Sequence, residues 1–163
     1  MQLGEPTRRR RPLRALGLVL VLALAVVGAL AYFRAGAAPS IEIAAKLPGI
    51  GKRTPVTVTV AAPGRGLGPV NVELVQGERI VPLAQKTFAP RPFWAFWGPR
   101  TERAEIPVEV GRETVEGLRA GEATIRVSAE RAATWLRHPA PATKELTLPV
   151  RLTPPSLQVL SLH

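Results

Sequence analysis

At 163 residues, with a net charge of +10, 21% charged and 46% hydrophobic residues, the chain has the make-up of one folded unit, not of a disordered polyampholyte or a multi-pass membrane protein. Cysteine is absent, which excludes a disulfide framework and any thiolate metal site. About half of the positive excess sits at the start of the chain, where Arg8, Arg9, Arg10, Arg11, Arg14 and Arg34 are set against Glu5 alone; the rest is scattered with no basic stripe or reading motif, so nucleic acid is not expected as a partner.

Residues 1–14 read as a basic N-terminus on the cytoplasmic side of a membrane. From Ala15 to Phe33 the chain runs through Leu, Val, Ala and Gly without a charge. That is about 19 residues, enough at 1.5 Å each to cross a hydrocarbon layer of roughly 30 Å. Tyr32 and Phe33 fall where an interfacial aromatic belt belongs, and the arginines before the run set its direction. Residues 15–34 are therefore expected to be a single transmembrane anchor in a bacterial inner membrane, with the remainder of the chain in the periplasm. The alternative is a cleaved signal peptide with Ala35-Gly36-Ala37 as its small-residue site. Against it stand the length of the run and the bulky Tyr32, Phe33 and Arg34 that separate it from those residues. A buried soluble helix would carry a polar face, and this run has none.

After a linker at residues 35–40, the 17 prolines and 14 glycines break the chain into short β-type runs with no helical periodicity. Ile41-Glu42-Ile43 is the first expected strand. Val56-Thr57-Val58-Thr59-Val60 alternates strictly, valines to the core and threonines outward. Val70 to Val75 follows with the same period, Gln76-Gly77-Glu78 supplies a turn, and Arg79 to Phe88 returns as a hairpin partner with Pro82 marking an edge. Ala104 to Val110, Ala123 to Ala129 and Glu145 to Leu152 complete seven strands. The expectation over residues 41–153 is an all-β, immunoglobulin-like or fibronectin-like sandwich. Thr153-Pro154-Pro155 then reads as a stiff linker, and Ser156 to Ser161 as the first strand of a following domain, so that residues 154–163 would lead into a longer protein.

Convergent groups for catalysis are scarce. His138 and His163 are the two histidines, and no His-Glu-x-x-His, His-x-x-x-Asp or His-x-His spacing supplies further metal ligands. His138 reads as a loop residue between the last two strands. Arg65-Gly66-Leu67-Gly68 and Gly49-Ile50-Gly51-Lys52 lack the helix N-terminus that a phosphate loop needs, and both read as turns. The unusual local feature is Phe93-Trp94-Ala95-Phe96-Trp97 between Pro92 and Gly98-Pro99. Phe93, Trp94, Phe96 and Trp97, with Trp135 further on, form a candidate binding loop for a glycan strand or a partner protein if exposed. Folded back, the same rings would plug the open end of the sandwich. Arg91, Arg100 and Arg103 are placed to stack on them in either case.

The stretches Pro92 to Gly98, Val110-Gly111-Arg112-Glu113-Thr114-Val115, Thr134 to Pro139 and Pro149 to Ser161 resemble the N-terminal region of membrane-anchored bacterial zinc endopeptidases of the lysostaphin/LytM type. The resemblance covers the chain after Arg34 and rests on an accessory region. It implies an anchored extracytoplasmic β-domain ahead of further β-structure and a metallopeptidase domain acting on peptidoglycan. The family's zinc ligands have no counterpart here, so no catalytic residue, metal or cofactor carries over. The expected role is spacing or positioning in the cell envelope, not enzyme chemistry, with a stand-alone glycan- or protein-binding module as the alternative.

Overall fold

The computed structural model describes residues 10–33, 36–92, 94–134 and 137–151. Expectations that fall on Arg8 and Arg9, on Arg34 and Ala35, on Phe93, Trp135 and Leu152, and on the strand from Ser156 to Ser161 lie outside the described residues.

Helix α1 spans Arg10–Phe33 and so begins before the apolar run. Arginine is a good helix former. Side chains of α1 are described over Ala15–Leu30 and at Tyr32. Leu16, Val19, Leu20, Val21, Leu22 and Leu24 are all exposed; these positions go fully round the helix, so α1 has no buried stripe along this stretch. No helix among the described residues is long and apolar enough to cross a membrane. The length of α1 with described side chains up to Leu30 rises about 24 Å, short of the roughly 30 Å hydrocarbon layer.

Seven strands come after the helix: β1 (Ser40–Ala45), β2 (Thr54–Ala61), β3 (Leu67–Gln76), β4 (Arg79–Lys86), β5 (Arg103–Val110), β6 (Gly121–Arg131) and β7 (Ala142–Val150). They form two antiparallel sheets, ordered β1-β2-β5 and β4-β3-β6-β7. Period-two alternation decides which face each residue takes. In β2 the valines Val56, Val58 and Val60 are buried, and their partners Val108, Ile106 and Ala104 lie across the ladder in β5. In the other sheet Val70, Val72 and Leu74 pair with Ala129, Val127 and Ile125. The inner faces share one core, so the two sheets are packed as a β-sandwich. Outward positions carry polar cross-strand pairs, such as Arg126 Nε to Glu145 Oε1 at 2.7 Å and Thr124 Oγ1 to Thr147 Oγ1 at 2.9 Å.

Pro82 lies on an edge strand, as its missing N–H requires, and the register shifts beside it, between Val72 and Glu73. The hairpin before it closes on Gly77 at φ +60°, a left-handed position that favours glycine. Gly49-Ile50-Gly51-Lys52 is a connection, not a phosphate cradle. Its Ile50 pairs with Val150 as an isolated parallel bridge and is wholly buried.

Candidate functional site

Because every strand is antiparallel to its neighbours, chain direction sorts the connections to the two ends of the sandwich. β1 enters at the end next to α1, and β2, β4 and β6 return to it. The connections 62–66, 87–102 and 132–141 therefore share one end with residues 36–39, which arrive from the helix. The connections 46–53, 77–78 and 111–120 lie at the other end.

At the helix end the organiser is Arg65. It is only 8% exposed. Its Nε donates to the carbonyl of Arg91 at 2.7 Å and its Nη1 to the carbonyl of Ala133 at 2.9 Å, while its own carbonyl accepts the Arg91 N–H at 2.7 Å. One guanidinium thus joins three connections, using the planar fork that lysine lacks. Two backbone bonds fasten the base of the same end: Leu67 N–H to Thr101 O at 2.9 Å and Ala62 N–H to Glu102 O at 2.8 Å. Gly66, at φ +93°, lets the chain pass so close to Thr101 that a side chain would meet its carbonyl.

The aromatic loop stands on this base. Trp94, Phe96 and Trp97 are 64%, 67% and 72% exposed, whereas Ala95 between them is buried. The alternative in which these rings plug the sandwich is corrected for all three: they are exposed, and Ala62 and Leu67 from the first connection and β3 are the core residues at this end. Phe93 and Trp135 lie outside the described residues. Arg91 holds the loop in shape, donating from Nη1 to the carbonyl of Phe96 at 3.0 Å and from Nη2 to that of Gly98 at 2.6 Å. Ala95 N–H closes a turn onto Pro92 O at 3.2 Å, and Gly98 takes φ +107°. Arg100 and Arg103, expected to stack on the rings, are committed to Glu102 at 2.5 Å and Glu105 at 3.6 Å. A shallow cleft behind the loop is lined by Pro92, Trp97, Pro99 and Arg100.

Contacts also run from this end to the helix. The guanidinium of Arg137 lies over the Tyr32 ring, 5.2 Å from its centre, and Arg131 Nη1 donates to Gly36 O at 3.0 Å. Arg137 is set in place by a tight turn in which Thr134 N–H bonds the Arg137 carbonyl at 2.9 Å and Arg137 N–H bonds Thr134 Oγ1 at 3.0 Å. His138 beside it is exposed. Among the described residues no group of three His, Cys, Asp or Glu could hold a metal ion.

Sequence reasoning found the aromatic loop but missed Arg65, which it read as part of a turn. An arginine between glycines carries no periodic signal of burial, and only the approach of the connections that carry Arg91 and Ala133 gives it these carbonyl acceptors.

No family model matches the chain, and no curated protein matches it in sequence. Two solved structures share a partial likeness. One is wild-type OgpA from Akkermansia muciniphila, 12% identical over 69% of this chain with a TM-score of 0.45. The other is a β-glucosidase from Listeria innocua in complex with glucose, 10% identical over 71% of this chain with a TM-score of 0.37. The chain spans 28% and 17% of those proteins. Likenesses at these TM-scores assign it neither a fold family nor an activity.

Proposed function

We propose that the chain is a membrane-anchored envelope module: α1 crosses the inner membrane once with its N-terminus in the cytoplasm, and an immunoglobulin-like or fibronectin-like sandwich stands outside it to position envelope components near peptidoglycan. The observation that carries this reading is α1 itself. Its described leucines and valines face solvent all round, an arrangement stable in lipid and costly in water. The proposed span extends beyond Leu30 through Ala31, Tyr32 and Phe33, where the uncharged run ends. The strand order β1-β2-β5 against β4-β3-β6-β7 is that of a seven-stranded sandwich with a three-plus-four division, which supports the immunoglobulin-like assignment. The resemblance to the accessory region of LytM-type endopeptidases supports peptidoglycan as the neighbourhood.

A second reading, a binding module for a glycan or an envelope protein, is favoured by the exposure of Trp94, Phe96 and Trp97. Clustered exposed aromatics mark recognition surfaces.

The test is alkaline-carbonate extraction of membranes from cells expressing the full chain, combined with protease added outside intact spheroplasts. The chain is expected to stay with the membrane pellet and its sandwich to be cut from outside. Release by carbonate, or protection until the spheroplasts are lysed, would overturn the reading.

A further inference from the structure

We propose that the aromatic loop is a second membrane contact: Trp94, Phe96 and Trp97 insert into the headgroup region of the bilayer that α1 crosses, and so fix the orientation of the sandwich against it. This rests on the proposed anchor, and what it adds is the occupant of the loop.

The first argument is position. The six residues 34–39 separate α1 from β1, and a fully extended stretch of that length reaches only about 25 Å. The end of the sandwich at which β1 starts is therefore held close to the end of the helix, and the aromatic loop is at that end. Side-chain contacts draw it closer. Gly36 is bonded to Arg131, Tyr32 lies under Arg137, and Arg65 links the Arg137 connection to the base of the aromatic loop.

Chemistry supplies the second argument. Trp, Phe and Tyr beside arginine is the composition of a membrane interface, where amphipathic rings sit among headgroups and guanidinium groups meet phosphates. Arg91, Arg131 and Arg137 have no carboxylate partner among the described residues, whereas Arg53 faces both Glu109 and Glu113, and Arg100, Arg103 and Arg126 face one carboxylate each. These three unpaired guanidinium groups lie at the helix end beside the exposed rings, and an anionic lipid surface is their complement.

Preorganisation is the third. The loop is held by both Nη groups of Arg91, by buried Ala95 and by Pro92 and Pro99. Three rings are thus presented to solvent without the ordering cost that a mobile loop would meet on insertion.

The full chain is reconstituted into vesicles of mixed zwitterionic and anionic phospholipid, and tryptophan emission is compared with that of a Trp94→Ala/Trp97→Ala variant. The difference isolates the two loop tryptophans from Trp135. Circular dichroism checks that the variant keeps its sheet content. The expected result is a blue-shifted difference emission, quenched by lipids brominated high on the acyl chain and shielded from aqueous iodide. A chain that floats with the vesicles while these tryptophans are quenched by iodide and ignore brominated lipid overturns the inference and leaves the anchor standing. Iodide shielding that appears only on adding peptidoglycan fragments overturns it in favour of the glycan-binding reading. A chain that does not float contradicts the anchor and the inference together.

Discussion

The two ends of the sandwich are built on different principles. The end away from α1 is sealed by backbone. Ile50 N–H bonds Pro149 O at 2.8 Å, Arg151 N–H bonds Ile50 O at 2.8 Å, and Arg112 and Glu113 N–H bond Gly51 and Lys52 carbonyls at 3.1 and 3.2 Å. Buried Thr54 accepts from Gly51 N–H at 3.0 Å. The end next to α1 adds side-chain clasps to its backbone bonds, with Arg65, Arg131 and Arg137 each reaching across to another segment and Arg91 bracing its own loop, and it keeps its largest rings outside. Backbone ladders fix a shape with little regard to which residues face outward. Side-chain clasps leave the loops they join long enough to present a surface. The contrast supports the proposal that one end serves stability and the other interaction.

The largest effects should come from the sealed end. A Cβ at Gly111 would fall on the Lys52 carbonyl and press on Arg53 N, and these backbone atoms cannot swing aside. Gly111→Ala should cost about 3 kcal/mol, as should Ile50→Ala, which leaves a cavity under the bridge to Val150. Urea unfolding monitored by circular dichroism measures both, and wild-type midpoints would break the comparison. Next comes Arg65→Met at the clasped end. Removing two charge-assisted bonds and leaving the Arg91 and Ala133 carbonyls to find water should cost about 2 kcal/mol, and Arg65→Lys should recover only part of it because one ammonium cannot span both acceptors.

Arg91→Gln should be milder still. It loosens a surface loop without opening the core, so about 1 kcal/mol or less is expected. The clearer readout is faster exchange of backbone amide hydrogens from residues 94–99. Smallest of all, Trp94→Ala and Trp97→Ala should change stability by less than about 0.5 kcal/mol, because both rings are exposed. If either variant unfolds as readily as Ile50→Ala, the rings belong to the core and the division of labour between the ends fails.

Much of the sandwich was legible in the sequence because its strands obey a strict local rule. Val56-Thr57-Val58-Thr59-Val60 can bury one face in only one way, and Pro82 can sit only where an N–H is dispensable. The aromatic loop was equally visible, since Phe93 to Trp97 breaks that alternation between two prolines. What local pattern cannot carry is where connections meet. Arg65 is buried because segments far along the chain converge on it, and Ile50 because the β1–β2 connection folds over Val150. Whether Trp94 and Trp97 turned inward depends on the tertiary arrangement of the loop, which no local pattern in Phe93 to Trp97 encodes. That α1 already includes Arg10, ahead of the apolar run, likewise follows from helix propensity and not from hydropathy.

Whether the sandwich stands on a bilayer with its clasped, aromatic end toward it can be measured directly, because the absence of cysteine leaves the chain free for single labels. Labels at Ala133→Cys, beside the clasp, and at Glu78→Cys, in the far hairpin, serve as energy-transfer donors to acceptors on lipid headgroups in vesicles carrying the full chain. The prediction is strong transfer from position 133 and weak transfer from position 78, the two differing by about 30 Å, the length of an eight- to ten-residue strand. Equal transfer from both positions, or stronger transfer from position 78, would contradict it.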